Sequence, residues 1–150
     1  MQLSDFLSKD IIKLNLEGTT KEEVISELIE ILYKNKIIDN KENVVKSLLD
    51  REKLGTIEIG QGVALSHVKI DNLNKIVILL GISKKGIDFN SLDGEPVYII
   101  LVFLLPNNPN NDYLKMLAKA SQLLKDKYFR KPLKELNSVD EILSLIKEEE

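Results

Sequence analysis

Val97-Tyr98-Ile99-Ile100-Leu101-Val102-Phe103-Leu104-Leu105 is an apolar run of strand length, interrupted by one tyrosine and closed by Pro106. It does not alternate apolar with polar, so it suits an inner strand covered on both faces rather than a half-solvated one. Lys75 to Leu80 has the same character. Between the two runs, Asp93-Gly94-Glu95-Pro96 is turn chemistry. Inner strands of this kind need helices on either side.

Those helices are legible in the flanking sequence. Thr20-Lys21-Glu22-Glu23 has the form of a capping box, which satisfies two helix N–H groups reciprocally. It opens an amphipathic run with Val24, Ile25, Leu28, Ile29 and Leu32 on one face. A second helix begins at Asp39 or Asn40, buries Val44, Val45, Leu48 and Leu49, and ends near Arg51-Glu52. From Gly55 to Val68 glycine and β-branched residues predict two short extended segments joined by tight turns. After the Pro- and Asn-rich loop 106–111, Leu114, Leu117, Ala118, Ser121 and Leu124 keep helical spacing. Ser138-Val139-Asp140-Glu141 repeats the capping-box form and opens a last helix with Ile142, Leu143 and Ile146 inward. The fold class is therefore α/β, a three-layer-type sandwich with a mixed, mostly buried sheet flanked by helices.

The chain's 150 residues contain no linker, repeat or low-complexity segment that divides them, so 1–150 reads as one domain. The longest apolar run falls well short of a membrane span, and the N-terminus Met1-Gln2-Leu3-Ser4-Asp5 lacks the pattern of a secretory signal. There is no cysteine, which excludes disulfides, thiol nucleophiles and zinc–thiolate sites. A cytoplasmic location is expected. A net charge of −3 gives no support for a phosphate-backbone partner, so no nucleic acid is expected. The basic stretch Lys125 to Lys131 reads as a solvated helix end, its cations near the negative pole of the helix dipole.

Only His67 titrates near neutrality without help from its surroundings. A lone histidine is most often structural, but its setting is unusual. Gly60 and Gly62 let the backbone turn sharply and approach another chain or ligand, and Ala64 keeps the neighbourhood narrow. His67 follows the short apolar strand Val63 to Leu65, where a rigid element positions a side chain that still reaches solvent. One histidine with scattered carboxylates lacks the clustered spacing of a metal site, so no metal is expected.

The segment Arg51 to His67 resembles the active-site segment of the fructose/mannitol-type enzyme IIA domains of the bacterial phosphoenolpyruvate-dependent sugar phosphotransferase system, which include the nitrogen-regulatory enzyme IIA proteins. Arg51, Glu52, Gly55, Ile59, Gly60, Gly62, Ala64 and His67 fall at matching offsets without a gap. The resemblance implies a phosphoryl relay. A neutral imidazole nitrogen of His67 attacks the phosphohistidine of the phosphocarrier protein HPr, then gives the group to an enzyme IIB domain or, in regulatory members, alters a protein interaction. It implies Arg51 against the phosphoryl oxygens, where a guanidinium fork binds bidentately. No metal or organic cofactor is implied. A chain without an attached IIB or transporter segment favours a regulatory member.

Four departures from the family pattern stand out, one of them a pair of residues. Ser66 stands where the family has proline, which loses a fixed φ and adds a hydroxyl that either donates to a phosphoryl oxygen or is a plain replacement. Thr56-Ile57 replaces a Ser-Thr pair, leaving Thr56 as the hydroxyl candidate, and Glu58 replaces a glycine and is expected to face outward. Tyr113 matches a second histidine found in many members; it can donate one hydrogen bond to a phosphoryl oxygen but carries no imidazolium charge. Two functions follow: an enzyme IIA phosphoryl carrier, or a regulatory interaction module on the same fold with weak or lost transfer.

Overall fold

The structure, a computed structural model, describes residues 2–53, 58–89 and 93–150, with the backbone alone for 58–60. The readings of Thr56, Ile57 and the Glu58 side chain lie outside the described residues.

Two short 3-10 turns, Leu3–Asp5 and Lys9–Ile11, lead into β1 (Ile12–Lys13). Then come α1 (Lys21–Lys34), α2 (Lys41–Lys53), β2 (Glu58–Gly60), β3 (Val63–Lys69), β4 (Val77–Ile87) and β5 (Val97–Leu105). The chain finishes with α3 (Asp112–Lys125), α4 (Lys127–Glu135) and α5 (Val139–Glu149). Helix starts follow the capping chemistry. Thr20 Oγ1 accepts from Glu23 N at 3.3 Å, Asn40 Oδ1 from Asn43 N at 3.0 Å, and Ser138 Oγ from Glu141 N at 3.1 Å.

The five strands lie in the order β1-β4-β5-β3-β2. β1 is parallel to β4 and β3 to β5, while β4–β5 and β2–β3 are antiparallel, so the sheet is mixed as expected. β5 is central and entirely buried except at Tyr98, which matches its unalternating sequence.

Register fixes which residues share a face. Leu65, Leu101 and Leu80 are aligned across β3, β5 and β4, and Leu80 and Leu101 pack with Leu124 of α3, Phe129 of α4 and Ile146 of α5. Ala64, Ile100 and Gly81 form the next row, on the other face; a Cβ at Gly81 would stand 3.1 Å from Leu28 of α1. The sheet is thus sandwiched between an α1–α2 layer and an α3–α5 layer.

Several boundaries differ from the sequence reading. β4 starts at Val77 and continues to Ile87, because pairing with β5 extends past the apolar run. β3 continues to Lys69, since its parallel ladder with β5 reaches Leu105, so His67 is inside the strand rather than beyond its end. The buried stripe of α3 is Met116, Ala120 and Leu124, with Leu117 and Leu123 partly covered; Leu114 and Ala118 are exposed. The basic stretch is not one helix end. Asp126 accepts from Tyr128 N at 2.9 Å and starts α4, so Lys125 closes one helix and Lys127 opens another.

Candidate functional site

The site is built on the hairpin β2–β3 and the last turn of α2. Gly60 and Val63 are paired across a two-residue turn in which Gln61 (φ 57°) and Gly62 (φ 86°) both adopt positive φ. Paired positive angles suit the twist of a tight hairpin, and glycine takes them without steric cost. Gly62 O accepts from Tyr98 N at 2.8 Å and Ile99 N at 3.1 Å, which pins the turn to the start of β5. Gln61 N donates to Asp93 Oδ2 at 3.0 Å. These bonds anchor the start of β3, and the parallel ladder carries that placement forward to His67.

Side-chain alternation along β3 then separates two neighbours. Ser66 shares the face of Ala64, toward α1 and α2, and is buried. His67 shares the face of Leu65, toward the α3–α5 layer, and is half-buried beside its register partner Phe103. β3 and β5 are parallel, so both end at the same edge of the sheet, Lys69 opposite Leu105. The chain leaves β5 there and enters α3 at Asp112. Tyr113, the second residue of α3, is half-buried and packs against the core.

His67 has its pKa lowered from 6.5, first by burial of the ring and second by the positive charge of Arg51. The ring is therefore mainly neutral at pH 7, with one of its nitrogens unprotonated. Arg51 is half-buried in the last turn of α2. The pair that the sequence singled out is thus brought within electrostatic reach of each other.

This geometry sits in a chain whose residues 5–149 match the family described as "Phosphoenolpyruvate-dependent sugar phosphotransferase system, EIIA 2". The chain belongs to that family. It is similar to the PTS system fructose-specific EIIABC component of Bacillus subtilis, at 34% identity over 97% of this chain and 23% of that protein. It thus spans about a quarter of that relative's length. It is also similar to the nitrogen regulatory protein of Bradyrhizobium diazoefficiens, at 34% identity over 97% of this chain and 95% of that one. Among solved structures it resembles the nitrogen regulatory protein IIA-Ntr of Neisseria meningitidis, with a TM-score of 0.88, 26% identity, and coverage of 96% and 98% of the two chains.

Within this enzyme IIA chain, one of the pocket candidates faces away from His67. The Ser66 hydroxyl donates to Glu52 Oε1 in the buried α2-facing layer, so it is committed away from His67. The glycines divide as well: Gly62 forms the turn, while Gly60 ends β2 at a register irregularity. Ala64 is buried on the α1–α2 side.

Glu52, which the motif contains but to which the sequence assigned no role, and Lys21, which it passed over, meet beneath the site. Glu52 is buried, and its Oε2 lies 3.7 Å from Lys21 Nζ, itself 5.4 Å from the Phe89 ring centre. The signal was present in α2. Val44, Leu48 and Glu52 are spaced by four, so the buried stripe of the helix ends on a carboxylate. Among the described residues no group of His, Cys, Asp and Glu is arranged to hold a metal ion. Nor is any helix among them long and apolar enough to cross a membrane.

Proposed function

We propose that this chain carries phosphoryl groups on His67, receiving them from HPr in the cytoplasm and passing them to an enzyme IIB domain or acting as a regulatory enzyme IIA. The observation that carries the reading is the neutral, half-buried His67 ring within the field of Arg51. In the transfer, the lone pair of the unprotonated ring nitrogen forms a P–N bond. The P–N bond to the donor imidazole breaks and returns its electron pair to that ring. The PO₃ unit passes between the rings, and no proton has to leave the attacking atom. Such a reaction asks the protein chiefly for positioning and charge neutralisation. Arg51 supplies the charge, and β3 supplies the fixed ring.

Tyr113 enters as a neutral hydrogen-bond donor to a phosphoryl oxygen, at the start of α3, the position that the resemblance matches to a second histidine in many members. Ser66 leaves the pocket, because its hydroxyl is used by Glu52. The test is incubation with phosphoenolpyruvate, enzyme I and HPr. The carrier reading expects an acid-labile adduct that is lost in His67→Ala. Absence of any adduct over long incubation would make the chain an interaction module instead.

A further inference from the structure

We infer that Glu52 and Ser66 form a positioning clamp that sets Arg51 against His67 from the opposite side of the sheet. The inference rests on the phosphoryl-acceptor reading of His67. Arg51 and Glu52 are consecutive in the last turn of α2, and Ser66 and His67 are consecutive in β3. The single hydrogen bond from Ser66 Oγ to Glu52 Oε1 therefore joins two dipeptides, each carrying one member of the bond and one member of the reactive pair. Alternation turns Ser66 away from His67, so the bond acts through the backbone and leaves the phosphoryl side of the strand open.

The cost of this arrangement argues for its purpose. Glu52 is 6% exposed and Ser66 2% exposed. Among the described residues, Glu52 Oε2 has no hydrogen-bond partner, and its compensating charge, Lys21, stands at 3.7 Å. A buried carboxylate satisfied on one oxygen only is poorer for stability than apolar packing of the same volume. What it supplies is direction. Its oxygens tie α1, through Lys21, and α2 to one residue of β3. By the resemblance of the 51–67 segment, Ser66 also stands where the family pattern has proline, whose ring restricts the backbone. Here a side-chain bond to the neighbouring helix restricts the same strand, and it couples that restraint to the arginine.

The experiment compares single-turnover phosphorylation by phospho-HPr in the wild type, Ser66→Ala, Glu52→Met, the double variant and Ser66→Thr. The His67 ring is followed in each by NMR titration. Ser66→Ala and Glu52→Met are expected to slow the maximal rate by roughly tenfold to a hundredfold, with half-saturation by HPr unchanged, because sub-ångström placement governs such steps. The double variant should be no slower than the slower single, and Ser66→Thr, which keeps the hydroxyl, should retain most of the rate. The ring's pKa should move toward 6.5 in Ser66→Ala as Arg51 loses its placement. Leu28→Ala, a core change in α1, controls for lost stability: it lowers the melting temperature and should leave the rate as it is. Wild-type rates and an unmoved titration in Ser66→Ala and Glu52→Met would overturn the clamp while leaving His67 as acceptor. A wild type that takes up no phosphoryl group would overturn the acceptor reading, and the clamp's role with it.

Discussion

His67 and Arg51 are electrostatically coupled across the junction of β3 and α2: burial lowers the imidazole pKa, and the guanidinium lowers it further. The coupling has a direct spectroscopic consequence, because the chain has a single histidine and its ring signals need no assignment. Titration of those signals should give a pKa below 6.5. Arg51→Met, which keeps an unbranched apolar stem and removes the charge, should raise it part of the way back, leaving the share due to burial. A ring that titrates at or above 6.5 in the wild type contradicts the geometry.

The same shift sets a pH dependence of stability. A histidine whose folded pKa lies below its unfolded value binds fewer protons in the native state across the interval between the two. Stability therefore rises with pH through that interval; it is fully present above 6.5 and is lost as pH falls toward the folded value. Urea unfolding between about pH 5 and about pH 8 should show a loss on acidification that is smaller in His67→Gln, since the carboxylates are common to both proteins. Parallel curves for the two proteins would refute the shift.

Much of this fold can be read from the residues. The unalternating β5 run and the Thr20 and Ser138 caps place the central strand and two helices with little ambiguity, because burial on both faces and orphan N–H groups each leave a local mark. What escapes is set by tertiary pairing. β3 and β4 extend beyond their apolar runs because ladder partners exist there, and α4 starts on Asp126 within a stretch that looks like one basic helix end. The site divides the same way. His67 and Arg51 are named by the motif, whereas the Ser66–Glu52 bond depends on which face each residue takes, and that is decided by register.

Removing the arginine charge should slow transfer without unfolding the protein. A charge-assisted hydrogen bond to a phosphoryl oxygen is worth about 1.5–3 kcal/mol, so Arg51→Ala is expected to cut the phosphorylation rate by roughly tenfold to a hundredfold. Tyr113→His should raise it, by adding a second imidazole at the start of α3. Stopped-flow or quenched-flow transfer from phospho-HPr measures both. An unchanged rate in Arg51→Ala would remove that residue from the site.

Gly62 should not tolerate a side chain. Its φ is 86°, and a Cβ would meet the Tyr98 ring at 3.2 Å. Gly62→Ala is expected to destabilise the fold by about 1–2 kcal/mol, readable as a lower urea midpoint. Wild-type stability in that variant would mean that the hairpin turn takes another form.

The most direct test follows the His67 ring by NMR while phospho-HPr is added in excess. The account predicts that its ring signals are replaced by a new set in step with phosphoryl uptake, and that acid treatment restores the original set. Phosphoryl uptake with the His67 signals unmoved, or no uptake at all, would contradict it.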